Sequence, residues 1–128
     1  MKFVIHKHYA DKAGIHYDLR MVDPNNKNNV LSFVSKKELP HSYGIKRLLI
    51  KQKNHKLPIL NFEGEIKSGY GKGKMIIIDS GDYEVLHESK NKKSQSLFFK
   101  GKILNGKYNL VRLDKENEFI FYKVKNGG

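Results

Sequence analysis

The segment His16-Tyr17-Asp18-Leu19-Arg20 sets an imidazole, a carboxylate and a guanidinium at every second position. In an extended strand, side chains at i, i+2 and i+4 share a face. His16, Asp18 and Arg20 therefore line one side, while Tyr17 and Leu19 point to the other, into apolar surroundings. Imidazole and carboxylate are ligands for divalent metals that prefer nitrogen and oxygen. The guanidinium beside them has the fork geometry that grips a phosphate bidentately. His6 and His8 occur on an earlier extended segment, on the face of Val4. If the two segments lie side by side, His8 completes a His–His–Asp set with open positions, suited to Mn²⁺, Zn²⁺ or Fe²⁺. His6 is then a neighbour, because two ligands on one strand at that spacing would be unusual. The competing reading is that a strand with one polar face ordinarily turns that face to solvent, and alternation alone does not separate the two.

Such a row must be positioned by strands, and the patterning is β throughout. Residues 3–8, 16–22, 30–34, 47–51, 60–66, 74–79, 83–87, 96–102, 107–113 and 118–124 are short, rich in β-branched or aromatic residues, and bounded by turn formers. Asp23-Pro24-Asn25-Asn26, Asp79-Ser80-Gly81-Asp82, Leu104-Asn105-Gly106 and Asp114-Lys115-Glu116-Asn117 predict turns. This spacing predicts an all-β sandwich or barrel in a single domain over residues 1–128. Helix is confined to a turn near 10–14 and a short piece near 42–46. The lysine-rich stretch 88–96 reads as a mobile hairpin loop, and Asn126-Gly127-Gly128 as a frayed end. Gly69-Tyr70-Gly71-Lys72-Gly73 lacks Walker spacing and a following helix, so it reads as a tight barrel corner. His41 and His87 have no partners in the sequence and read as surface residues. Phe98, Phe99, Phe119, Phe121 and Tyr122 are mostly core, with room for an exposed ring that stacks an end base.

Composition narrows the partners. Cysteine is absent, which removes disulfides, thiolate metal sites and cysteine nucleophiles together. No signal peptide or membrane-length apolar run is present, predicting a soluble intracellular protein without a membrane partner. The net charge of +12 favours a polyanion. All but three of the 25 basic residues are lysine, however, and lysine is also a common solvated surface residue.

The order of motifs resembles the 3′-phosphoesterase domain of bacterial DNA ligase D and its stand-alone archaeal relatives. Phe3-Val4-Ile5-His6-Lys7-His8 followed by His16-Tyr17-Asp18-Leu19-Arg20 is similar to F-V-V-x-K-H and H-Y-D-[FL]-R. Leu31 to Lys37 resembles L-K-S-W-A-V-P-K, and Lys46-Arg47-Leu48 through Leu57 resembles K-R-L-A-V-x-V-E-D-H-P-L. Phe62 to Gly73 resembles F-E-G-x-I-P-x-G-x-Y-G-A-G, and Gly101 to Arg112 resembles G-x-K-L-x-G-x-[WY]-x-L-[VI]-R. The resemblance covers nearly the whole chain.

It implies a closed or nearly closed β-barrel with short helical segments and a phosphate-sized pocket. It implies manganese held by His8, His16 and Asp18. Arg20 and His55 would engage the scissile phosphate, while Lys37 and Arg47 assist catalysis, Arg47 as a further phosphate ligand. The reaction implied is removal of a 3′-terminal ribonucleoside and then of the 3′-phosphate, leaving a 3′-hydroxyl. The partners implied are 3′ ends of DNA or DNA/RNA primer–templates and a DNA ligase or end-joining machinery, with the chain acting as a monomer. Several positions depart from the pattern. Ile59 stands where the family has a tyrosine, and Tyr70 is the first candidate for a compensating hydroxyl. Asn54 and Lys56 replace an acidic residue and a proline, and the spacer between His8 and His16 is two residues longer. Met1 lies almost at the first strand, leaving no place for the family's N-terminal arm. The phosphomonoesterase step is therefore expected ahead of ribonucleoside removal. The alternative is a non-catalytic module that binds nucleic-acid ends.

Overall fold

Alternating apolar and polar residues let one sheet bury a face, and a sheet that closes on itself has no exposed edges. That is the solution found in the computed structural model, which describes residues 1–125. β1 (Lys2–Ala10) and β2 (Gly14–Asp23) form an antiparallel hairpin, and β3 (Asn26–Ser35) and β4 (Lys46–Lys56) continue the sheet. Beyond β4 lie β9 (Glu118–Lys123), β8 (Asn105–Arg112), β7 (Ser94–Lys100) and β6 (Gly73–Glu88), and β6 pairs back onto β1. The result is a closed eight-stranded antiparallel barrel, with the short β5 (Gly64–Ile66) added beside the start of β6. The expected all-β barrel is the fold adopted.

The barrel interior is filled by Phe3, Ile5, Leu19, Phe33, Leu49, Leu97 and their neighbours, all buried. Phe99 packs edge-on against Phe3, Tyr108 and Phe121, at centroid separations of 5.0, 5.5 and 5.8 Å. The buried phenols are satisfied: Tyr108 donates to the Pro40 carbonyl at 2.7 Å, and Tyr83 donates to that of Val22. Burial pushes the Tyr108 phenol up to about 12.

Several local expectations are corrected. Residues 74–79 and 83–87 are not two strands around a turn; β6 runs unbroken through both. Its Asp79-Ser80-Gly81-Asp82 segment is the crossover where β6 leaves β1 and joins β7. Glycine is required there because a Cβ on Gly81 would lie 2.2 Å from the Lys100 carbonyl oxygen. Residues 60–66 are not one strand either. Leu57–Asn61 is a 3₁₀ turn with Pro58 at its start, where a missing N–H is harmless, and only β5 is extended. Residues 11–13 form the β1–β2 hairpin turn rather than a helical turn, and 42–46 is not helical. The reversal before β8 occupies 101–104, and Asn105-Gly106 already belong to that strand. The expected loop at 88–96 is a tighter hairpin between β6 and β7, closed by Ser89 and Asn91 hydrogen bonds. The frayed end expected at Asn126-Gly127-Gly128 lies outside the described residues.

Candidate functional site

With Phe3, Ile5, Leu19 and Met21 committed to the interior, strand alternation turns His6, His8, Asp18 and Arg20 to the outer wall. Register then assembles the site. His8 lies directly opposite His16, and their rings are 4.5 Å apart. Arg20 faces Ser32 on β3 and donates to its hydroxyl from Nη1 at 2.6 Å.

An outer barrel wall is normally wet, yet Asp18 is only 3% exposed and Arg20 5%. The reason is a cover formed by the chain between β4 and β6. His6 Nε2 donates to the Phe62 carbonyl at 2.9 Å, and His8 Nε2 donates to the Gly71 carbonyl at 2.7 Å. The Asp11 N–H, at the hairpin tip, donates to the Lys72 carbonyl at 2.8 Å. The His8 contact also fixes its tautomer. With the proton on Nε2, the Nδ1 lone pair points toward Asp18, 3.6 Å from Oδ2.

Three groups converge on that one carboxylate oxygen. His8 Nδ1 and His16 Nε2 each lie 3.6 Å away, and Arg20 Nη2 lies 3.4 Å away. The histidine separations are too long for hydrogen bonds, and among the described residues Oδ2 has no hydrogen-bond partner despite its burial. One ligand atom from each of His8, His16 and Asp18 falls within 4.8 Å of the others. A buried, unpartnered carboxylate oxygen facing two imidazole nitrogens is what a divalent cation satisfies, so the donor set fits the metal.

Electrostatics match this geometry. The adjacent Asp18 carboxylate raises the His16 pKa, outweighing burial. Burial pushes the Asp18 carboxyl up, but neighbouring His16 and the Arg20 charge overcome it and hold the group below its ordinary value. His55 is lowered, first by burial and then by the charges of Arg20 and Lys51.

A cleft of about 670 Å³ opens on the triad and brings together His8, His16, Asp18, Arg20, His55 and Tyr70. Lys37 and Arg47 do not line it; they line the adjoining hollow. The sequence reading missed Ser32 and Lys36, which do line the cleft. Ser32 shares a strand face with Val34, so extending the alternation argument to a third strand would have found it, while Lys36 lies just past the end of β3. The Phe62 and Gly71 carbonyls carry no side-chain signal at all. Ile59 does not line the cleft and sits half-buried in the 3₁₀ turn.

Fold and site together define an antiparallel barrel whose outer wall carries a triad able to hold a metal ion beside a buried arginine, chemistry suited to phosphate esters. The model of the DNA ligase D 3′-phosphoesterase domain family matches residues 6–112, a span that contains every residue of the triad and cleft named above. The chain belongs to this family. It is 34% identical over 128 residues to the multifunctional non-homologous end joining protein LigD of Mycobacterium bovis, covering 97% of this chain and 16% of that protein. The LigD protein of Mycolicibacterium smegmatis is 42% identical over 85 residues, covering 65% of this chain and 10% of its own length. The chain thus spans a small fraction of the curated relatives it matches.

Proposed function

We propose that this chain is a Mn²⁺-dependent phosphoesterase that removes the 3′-phosphate from the 3′ ends of DNA or DNA/RNA primer–templates. Removal of a 3′-terminal ribonucleoside is a secondary step. The observation that carries this reading is the convergence of His8, His16 and the unpartnered Asp18 oxygen beside Arg20 in one cleft. Family membership directs the reading to phosphate esters at DNA ends. In this reading residues 1–128 work as one domain and as a monomer, inside the cell, alongside a DNA ligase or end-joining machinery. The name of the relatives supports that setting.

A divalent ion held by His8 Nδ1, His16 Nε2 and Asp18 would supply positive charge against a phosphate oxygen. The protein's own groups do the rest. Ser32 and Asp18 hold the Arg20 guanidinium from two sides, so it meets an incoming phosphate in a fixed orientation. His55, with its lowered pKa, is neutral near pH 7 in the free protein and acts first as a hydrogen-bond donor. A phosphate dianion entering the cleft raises that pKa, which lets His55 deliver a proton to the leaving oxygen. Lys36 adds charge at the cleft wall, Lys37 and Arg47 act from the adjoining hollow, and Tyr70 offers a hydroxyl at the mouth.

The test is phosphate release from a primer–template carrying a 3′-phosphate, with and without Mn²⁺. Release that requires Mn²⁺ and disappears in His16→Ala supports the proposal. Mn²⁺ binding by calorimetry with no release would instead identify an end-binding module without catalysis.

A further inference from the structure

The outer wall does not stop at the cleft. β3 and β4 pair Ser32 with Gln52 and Val34 with Ile50. Because Leu49 is fully buried in the core, Gln52, Ile50, Leu48 and Lys46 belong to the opposite, outward face of β4. From Gln52 to Lys46 this face runs about 20 Å at the rise of a strand. A second hollow of about 550 Å³ opens along it and shares Val34, Lys36 and Gln52 with the cleft.

The charge of this hollow is one-sided. Lys36, Lys37, Lys46 and Arg47 line it against one acidic residue, Glu118. Other hollows differ: one sets Lys67, Lys72 and Lys74 against Asp11 and Glu65, and another carries Asp23 and Glu88 with no cation. The backbone bearing the cations is pinned. Ser35 donates its hydroxyl to the Lys37 carbonyl at 2.5 Å, and Arg47 Nε donates to the Glu38 carbonyl at 2.6 Å. Between the cations lies an apolar floor, with Leu48 exposed and the Lys46 ammonium 5.0 Å above the Tyr122 ring. Cations flanking an apolar floor match a nucleic-acid strand, whose phosphates alternate with sugar and base faces.

We infer that this hollow is the track for the strand being processed. It holds the first few nucleotides 5′ of the terminal phosphate. Lys36 sits at the junction and grips the phosphodiester nearest the end, while Lys37, Lys46 and Arg47 take those behind it. The inference rests on the end-processing reading above.

The experiment is equilibrium binding, by fluorescence anisotropy, of single-stranded oligonucleotides ending in a 3′-phosphate, from two nucleotides upward. Wild-type affinity is expected to rise at least tenfold between two and six nucleotides. In Lys37→Gln/Lys46→Gln, neither of which lines the cleft, that rise is expected to shrink to under threefold. The slope of log affinity against log salt falls by about 1.4, at ~0.7 per single-strand phosphate contact. The control is Lys90→Gln/Lys92→Gln in the β6–β7 hairpin, which removes equal charge away from the hollow. A length dependence that survives in the first variant overturns the inference. So does one lost equally in the control, or one seen only with a complementary strand annealed. Because binding is read without turnover, it is separable from the end-processing reading, which fails if no 3′-phosphate end is hydrolysed with Mn²⁺ present.

Discussion

Two buried aspartates on one barrel have opposite surroundings. Asp79, 4% exposed, spends both carboxylate oxygens on the backbone: it accepts from the N–H groups of Ser80, Lys102, Ile103 and Leu104 at 2.8–3.0 Å. Asp18, 3% exposed, leaves Oδ2 without a hydrogen bond among imidazole and guanidinium nitrogens 3.4–3.6 Å away. A carboxylate saturated by backbone donors is a staple, here fastening the 101–104 reversal to β6. A carboxylate buried and left short is costly unless something else completes it. Other buried polar atoms around Asp18 are also incomplete, with the Arg20 Nε donor and the His6 Nδ1 acceptor unpartnered among the described residues. On the function proposed above, the Asp18 region trades hydrogen-bond satisfaction for a place to hold a cation, whereas the Asp79 region is fully satisfied.

The largest expected effect separates the two by metal affinity. His16→Ala would remove one ligand, from a side chain 15% exposed, so Mn²⁺ affinity measured by calorimetry should drop about a hundredfold or more, beyond what outer-shell changes typically cost. At alkaline pH, where His16 is neutral, its metal-free melting temperature should barely move. Asp79→Ala should do the converse: four backbone donors lose their acceptor, and at about 1–3 kcal/mol for an unsatisfied buried group the loss of stability should reach ~3 kcal/mol or more. Mn²⁺ affinity of the folded fraction should stay at the wild-type value. If Asp79→Ala weakens Mn²⁺ binding as much as His16→Ala, the distinction between staple and site collapses.

A smaller effect is expected in pH. The His16 pKa is raised, chiefly by Asp18. In the metal-free protein, protonated His16 therefore adds stability that is full below the ordinary value near 6.5 and is lost as pH rises through the folded value. Metal binding runs the other way, because a protonated imidazole cannot ligate. Melting temperature without metal should fall as pH rises across this window, while Mn²⁺ affinity should increase. Asp18→Asn should flatten the metal-free trend. A metal-free trend of the opposite sign would show that His16 does not sense Asp18.

The same contrast explains what the sequence disclosed. Strand periodicity carries β structure and face parity, so an all-β sandwich or barrel was legible from the spacing of short strands along the chain, its closure from the family resemblance, and the shared face of His16, Asp18 and Arg20 from His16-Tyr17-Asp18-Leu19-Arg20. Burial of that face was not, because its cover is built from the carbonyls of Phe62 and Gly71, roughly fifty to sixty residues away and chemically identical to any others. Asp79-Ser80-Gly81-Asp82 has turn composition, but its carboxylate is consumed by a distant reversal and its glycine by a close strand crossing. Lys36 went unnoticed because the resemblance placed its lysine on Lys37. Lys36, the first residue past β3, reaches both the cleft and the neighbouring hollow, while Lys37 lines the hollow alone.

The smallest effects concern the hydroxyl that Ile59 cannot supply. A preorganised donor to a developing oxyanion is worth about 2.7–4 kcal/mol, but only where water is excluded. Tyr70 is 73% exposed at the cleft mouth, so its phenol competes with solvent. Tyr70→Phe should therefore lower turnover on a 3′-phosphate end by less than about tenfold, or ~1.4 kcal/mol. Ile59→Tyr should leave the rate unchanged, because the position does not line the cleft. A hundredfold loss in Tyr70→Phe would mean that the loop bearing Gly69-Tyr70-Gly71 closes over bound phosphate. Because Gly71 carries the carbonyl that orients His8, such closure would tie the cover directly to the metal ligands.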